Sequence, residues 1–225
     1  MLRCFLIIAL TQWNIAICIA EPTQGNPAWI VQQIAMHATE NQLPFVEFST
    51  STWLKKPLRI VGILSHPNAT TLQMSVTMPY QQVVTIHPNT VEISRPGRPL
   101  QTIPISRIPE LAEFQAGLLA LVSNHWDYLV THYRMHAQGS EKAWELVLNP
   151  IAVSAGPDAI KEMQFYGNNA DLRCIVRVPA KGPPHTMILG QTALQKPTSD
   201  ASTAGMICRG TEHFDGQSSN DARIL

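Results

Sequence analysis

The sequence predicts an α+β protein built on an antiparallel sheet, and three observations carry that expectation. Residues 74–93, Met-Ser-Val-Thr-Met-Pro-Tyr-Gln-Gln-Val-Val-Thr-Ile-His-Pro-Asn-Thr-Val-Glu-Ile, are dominated by β-branched residues and read as three short strands. Pro79 and Pro88 stand at element boundaries, where a missing N–H costs least. The apolar runs are joined by connections of hairpin length, which suits antiparallel pairing. The order is helix, about five strands, helices, about five strands.

The first element is a helix. Asn26 is placed to cap it and Pro27 takes the first helical position. Trp29, Ile30, Ile34, Ala35 and Ala38 follow helical spacing, and the helix is expected to end near Asn41. A strand is expected over 45–53, with Phe45 and Glu47 on one face and Val46 and Phe48 on the other. A second covers 58–64, where Gly62 suggests a bulge or close packing. Residues 66–68 turn the chain into the strands of 74–93, and 95–99 form a loop.

A second helix is expected over 106–123. Pro109 suits its first turn, and Glu110 and Glu113 suit the positive end of its dipole. Leu111, Phe114, Leu118, Leu121 and Val122 make one stripe, while Ala112, Ala116, Leu119 and Ala120 keep much of the other side apolar. A helix apolar on more than one face is covered on both, or faces an apolar ligand. A short third helix is expected over 124–130. Strands then follow at 131–137, 143–148, 160–166, 172–178 and 185–189, separated by Gly-, Asn- and Pro-containing turns. Residues 192–225 are polar and without period, and read as a flexible tail.

Residues 1–20 read as a signal peptide. Arg3 gives the positive start, an apolar stretch begins at Phe5, and Cys18-Ile19-Ala20 resembles a small-x-small cleavage site before Glu21. Ile17 stands where a bacterial lipobox wants a small residue, so cleavage after Ala20 is expected instead of lipidation at Cys18. Cleavage leaves Cys174, in a strand, and Cys208, in the tail. A disulfide between them is permitted in an oxidising compartment. The reading preferred from sequence is a half-buried thiol and an incidental one.

Composition narrows the function. The apolar fraction is 45%, the charged fraction 14% and the formal net charge zero. Without a basic surplus, nucleic acid and anionic membrane surfaces are poor partners. No G-x-S-x-G elbow, P-loop, dinucleotide fingerprint or H-E-x-x-H is present. His125, Asp127, His132 and His136 are the one grouping that could serve a metal-dependent or other hydrolase, but a convincing third zinc ligand is lacking. No catalytic residue, metal or cofactor is expected.

Four motifs in order carry a family resemblance over residues 29–191. They are Lys56-Pro57-Leu58 followed by Gly62; Met78-Pro79-Tyr80 followed by Val83-Val84-Thr85-Ile86; Trp144-Glu145-Leu146-Val147-Leu148-Asn149-Pro150; and Gly182-Pro183-Pro184-His185-Thr186-Met187-Ile188-Leu189. Together they resemble the periplasmic outer-membrane lipoprotein carriers, the LolA/LolB-like proteins, and particularly a divergent LolA-related branch. The chain departs from that family at Thr50, where Gln is usual, at Gln73 for Arg, at Met74 for Trp, and at Pro183 in place of a Gly-Asp step.

The resemblance implies a strongly curved antiparallel sheet, an incomplete barrel, with helices as a lid over its concave apolar face, all within residues 21–191. It implies a non-enzymatic, soluble, monomeric periplasmic carrier of a lipoprotein or lipid, loaded by an inner-membrane donor complex and relieved by an outer-membrane acceptor. The residues it points to for cavity and lid are Phe48, Met74, Tyr80, Val84, Ile86, Leu111, Phe114, Leu118, Leu121 and Trp144. The competing expectations are the exported hydrolase above and an exported interaction scaffold with a filled core.

Overall fold

The computed structural model describes residues 25–37, 42–49, 57–152, 156, 158–195 and 201–209. The expected signal peptide and its cleavage site lie outside the described residues, as do residues 50–56 and 210–225.

The chain opens with α1, Pro27–His37. Its cap is the one the sequence predicts: the Asn26 Oδ1 accepts from the backbone N–H of Ala28 at 3.0 Å and of Trp29 at 3.3 Å. Six strands follow, β1 (Gln42–Ser49), β2 (Leu58–Asn68), β3 (Thr71–Met78), β4 (Gln82–Ile86), β5 (Thr90–Ser94) and β6 (Gln101–Pro104). A 3-10 turn, Ile105–Arg107, leads into α2, Pro109–Val122, with Pro109 in its first turn. Next come α3 (Trp126–His132), β7 (Tyr133–Ser140), β8 (Ala143–Pro150), β9 (Ile160–Asn168), β10 (Asp171–Pro179) and β11 (His185–Leu189). The described chain ends with α4, Gly190–Gln195, and α5, Ala201–Arg209.

All eleven strands form one sheet in the order β6-β5-β4-β3-β2-β1-β11-β10-β9-β8-β7, and every pairing is antiparallel. The first six strands and the last five are two meanders, joined where β1 pairs with β11, Phe45 opposite Leu189. The sheet does not close, because β6 and β7 end it without meeting.

Several boundaries differ from expectation: β1 starts at Gln42, α3 runs to His132 so that β7 starts only at Tyr133, and three larger differences follow. The turn placed at 66–68 comes later: β2 runs to Asn68, whose side chain then accepts from the Thr70 N–H at 2.9 Å and closes the turn itself. Strand β6 lay hidden behind Pro99 and Pro104, which mask a four-residue strand. The tail expected from 192 is helical in α4 and again in α5, where Ala204, Ile207 and Cys208 are buried.

The sheet has a core on each face. On one face α1 and α2 cover Phe45, Leu64, Leu72, Met74, Ile86, Leu146, Phe165, Ile175, Met187 and Leu189. On the other, α4 and α5 cover Val46, Phe48, Tyr166, Cys174, Val176 and Ile188. The alternation read in β1 is therefore correct, with Phe45 on the first face and Val46 and Phe48 on the second. Gly62 answers both parts of its expectation. The β2–β3 register shifts there, and a Cβ on it would collide with the Ser75 carbonyl and approach the Phe45 ring to 2.9 Å.

Cys174 and Cys208 form a disulfide. The sequence reading that preferred two unpaired thiols is corrected here. It rested on Cys208 belonging to an unstructured tail. Once α5 forms, its face places Cys208 over β10, with Cα atoms 5.5 Å apart, within normal disulfide reach.

Candidate functional site: an apolar face wrapped around one helix

Helix α2 is the centre of the site. Phe114, Gln115, Gly117, Leu118, Leu119, Ala120 and Leu121 are all buried, and no residue of the helix is fully exposed. Its two-sided apolar character has the first of the two causes expected: the sheet covers one side, and α1 and α3 pack against the helix as well. The outermost cover is α1, which buries Ile30, Val31 and Ile34 and leaves Gln32 and Met36 exposed.

The sheet reaches α2 from both halves. Gln115 donates to carbonyl oxygens of Ile86, on β4, and Thr70, in the β2–β3 turn. Two residues on, Gly117 lies against the Met163 side chain of β9 and 3.3 Å from the Tyr133 hydroxyl, both measured from the position its Cβ would take. The sheet order puts β4 and β9 six steps apart, about 29 Å in a flat sheet at ~4.8 Å per step. A helix is only about 10–12 Å across. Both strands meet one helix because the sheet curls around it.

Of the ten residues expected to form cavity and lid, eight lie on this face. Met74, Val84 and Ile86 come from β3 and β4, Phe114, Leu118 and Leu121 from α2, and Trp144 from β8; Leu111 packs against the same cluster, partly buried. Trp144 is held by its Nε1–H donating to the Asn169 carbonyl at 2.8 Å, with its indole over Gly167, which has no Cβ to obstruct it.

Two residues are elsewhere. Phe48 lies in the opposite core, against α4 and α5. Tyr80 is exposed in the turn between β3 and β4, since Pro79 ends the strand before it. Sequence reasoning missed apolar residues that β1, β2, β3 and β11 place on this face. Leu43, Leu64, Leu72 and Leu189 join Leu118, Leu119 and Val122 around a void of about 40 Å³. A cavity of that size has room for a few waters at most. Among the described residues, side chains of α1 and α2 pack against the rest of this face.

Glu47 carries a charge into this face. On β1 it shares the face of Phe45, opposite that of Val46 and Phe48. Glu47 is buried, 4% exposed, and paired. Its Oε1 accepts from Arg177 Nη2 of β10. Arg177, also 4% exposed, uses its Nη1 on Glu110 Oε1 of α2 at 3.0 Å. Its guanidinium lies 4.8 Å from the centre of the Phe114 ring. His185 of β11 places Nδ1 3.8 Å from the same Glu47 oxygen and makes no hydrogen bond with it. Such a cluster is costly to desolvate and stabilises little in net terms; it fixes the register of α2 on the sheet.

Burial raises the pKa of Tyr133, and the neighbouring Glu113 raises it further, keeping the hydroxyl neutral beside Gly117. The histidines of the hydrolase expectation are not brought together. His132 ends α3, stacked on Tyr128 at 3.9 Å with Nδ1 2.9 Å from the Tyr128 carbonyl, whereas His136 lies on β7. The helix-to-strand junction falls between them, so their spacing of four puts them on no common face of one element. Among the described residues no group of three or more His, Cys, Asp or Glu could hold a metal ion. No helix among them is long and apolar enough to cross a membrane.

An open, eleven-stranded antiparallel sheet curled around buried helices, with an apolar face and a separate covered back, defines the class as α+β with an unclosed barrel. Residues 19–211 match the family described as outer membrane lipoprotein carrier protein LolA-like, and the chain belongs to that family. No curated protein matches it. Among solved structures it is similar to the LolA superfamily protein NE2245 from Nitrosomonas europaea, with 9% identity, 72% of this chain and 89% of that chain covered, and a TM-score of 0.38. It is also similar to LprF from Mycobacterium bovis, with 12% identity, 74% and 93% covered, and a TM-score of 0.34.

Proposed function

We propose that the protein is a non-enzymatic periplasmic carrier. It shields the acyl chains of a lipoprotein or lipid from water and passes them to an outer-membrane acceptor after loading from an inner-membrane donor. The observation that carries this reading is the position of α2, an apolar helix held inside the curl of an open sheet. The concave face it fills is continuous from Met74 and Ile86 to Leu146 and Phe165. Hiding one chain of about 14 methylenes is worth on the order of 10 kcal/mol, which explains why an acylated molecule needs a container to cross water. The void of about 40 Å³ among the described residues of this face is too small for such a chain, so a chain that lies there needs α1 and α2 to give way.

Family membership supports the reading, and so does the disulfide, which suits an exported protein. Residues 1–20 act here as an export signal and 21 onward as the mature carrier. Native mass spectrometry after gentle purification tests the proposal. The expected result is a population heavier by one lipid or acylated species, identifiable after extraction. A protein that stays lipid-free after incubation with acylated lipid, with the fold intact, favours the filled-core scaffold instead.

A further inference from the structure

We propose that Arg177 is the docking point for an anionic group carried next to the acyl chain of the cargo, a carboxylate or a phosphate. This rests on the carrier reading above and adds to it a polar end for the site.

The two carboxylates on Arg177 differ in what holds them. Glu47 belongs to the sheet, is buried and stays with β10 whatever the helices do. Glu110 belongs to the first turn of α2, and its side chain is 22% exposed. When α2 gives way, Glu110 and the Phe114 ring leave together, and Nη1 of Arg177 loses its partner. A cation left half-paired on an apolar face is costly. An anion arriving with the cargo restores the same arrangement, one guanidinium between two anions. The lid carboxylate thus occupies the place that a cargo anion takes. His185 brings a buried ring nitrogen, its hydrogen-bonding capacity unused, to the same spot.

The apolar end is aligned with this point. Leu43, Phe45 and Glu47 alternate onto one face of β1, with Leu43 at the void and Glu47 at Arg177. The four steps from Leu43 to Glu47 span about 14 Å at ~3.4 Å each. An amphiphile lying along β1 puts its charged end on Arg177 and its chain across Phe45 toward Leu43, Leu64 and Leu189. A lone anion has no use for that trough, and an uncharged chain has none for Arg177.

The test is displacement of an apolar fluorescent probe from the whole protein by dodecanoate, dodecanol and inorganic phosphate. It is run on the wild type, on Glu110→Gln, and on the double variant Glu47→Gln/Arg177→Met. In Glu110→Gln the competing carboxylate is gone, so dodecanoate should bind ~10-fold tighter or more, and dodecanol less than ~3-fold tighter. The double variant removes the buried Glu47–Arg177 pair as a unit, and the Glu110 carboxylate it leaves without a cation is 22% exposed and can be hydrated. There dodecanoate should lose ~10-fold or more relative to dodecanol. Phosphate should displace nothing. Equal shifts for acid and alcohol in Glu110→Gln overturn the proposal and make Arg177 a latch for α2 alone. Displacement by phosphate overturns it in favour of a free-anion site. If the double variant does not fold, the Glu110→Gln comparison decides by itself. If neither amphiphile binds any form, the carrier reading falls and this inference falls with it.

Discussion

The side-chain amide of Gln115 donates to the backbone carbonyl of Ile86 at 2.7 Å, tying the middle of α2 to β4. The same nitrogen donates to the Thr70 carbonyl at 2.8 Å. Arg177 ties the start of the helix to β10 and β1. These are polar fastenings on an apolar interface, and they decide how readily α2 leaves it.

Replacing Gln115 by Leu strands two carbonyl oxygens under an apolar side chain. The expected loss is about 2–4 kcal/mol, from two unmade bonds in a buried setting. Urea unfolding should show a lower midpoint with an unchanged slope. Probe association should become faster, since one fastening of the helix is gone.

Phe48 separates the two faces. It was expected in the cavity and lies instead beneath α4 and α5. Phe48→Leu should lower stability by about 1–2 kcal/mol through imperfect refilling of its site, while probe affinity stays at the wild-type value. A matching loss of affinity would put Phe48 in the ligand site after all.

How much of this was legible in the sequence follows from the same residues. Helices α1 and α2 were readable because Asn26-Pro27 and Pro109 start them by local chemistry and their stripes keep helical period. The meanders were readable because β-branched runs alternate with turn residues. What failed depended on partners distant in sequence. Glu47 finds its partner only in Arg177, 130 positions away, and Phe48, which the resemblance pointed to, faces the opposite core. Cys208 looks incidental until α5 docks on β10. The hairpin pattern gave no sign that β1 pairs with β11, a contact between opposite ends of the domain.

The Cys174–Cys208 bridge closes a sequence separation of 34 residues. On the chain-entropy account its loss should cost on the order of 3–4 kcal/mol. Melting with and without dithiothreitol should show a clear fall in the transition temperature. Cys208→Ser should melt at the reduced temperature under both conditions. Because α5 covers the back of the sheet, probe affinity measured well below the transition should be unaffected.

The central claim is that α2 gives way to an acyl chain within an otherwise folded sheet. Its most direct measurement is the distance between spin labels at Ala116→Cys in α2 and Lys161→Cys in β9, taken by pulsed electron resonance with and without bound acylated lipid. The labels are placed on the chain from Glu21 onward, whose other cysteines, Cys174 and Cys208, stay paired in the native disulfide. The account predicts that loading lengthens the distance by about 5 Å or more, roughly half a helix diameter, while the circular dichroism of the sheet is retained. An unchanged distance with lipid bound one to one would contradict it.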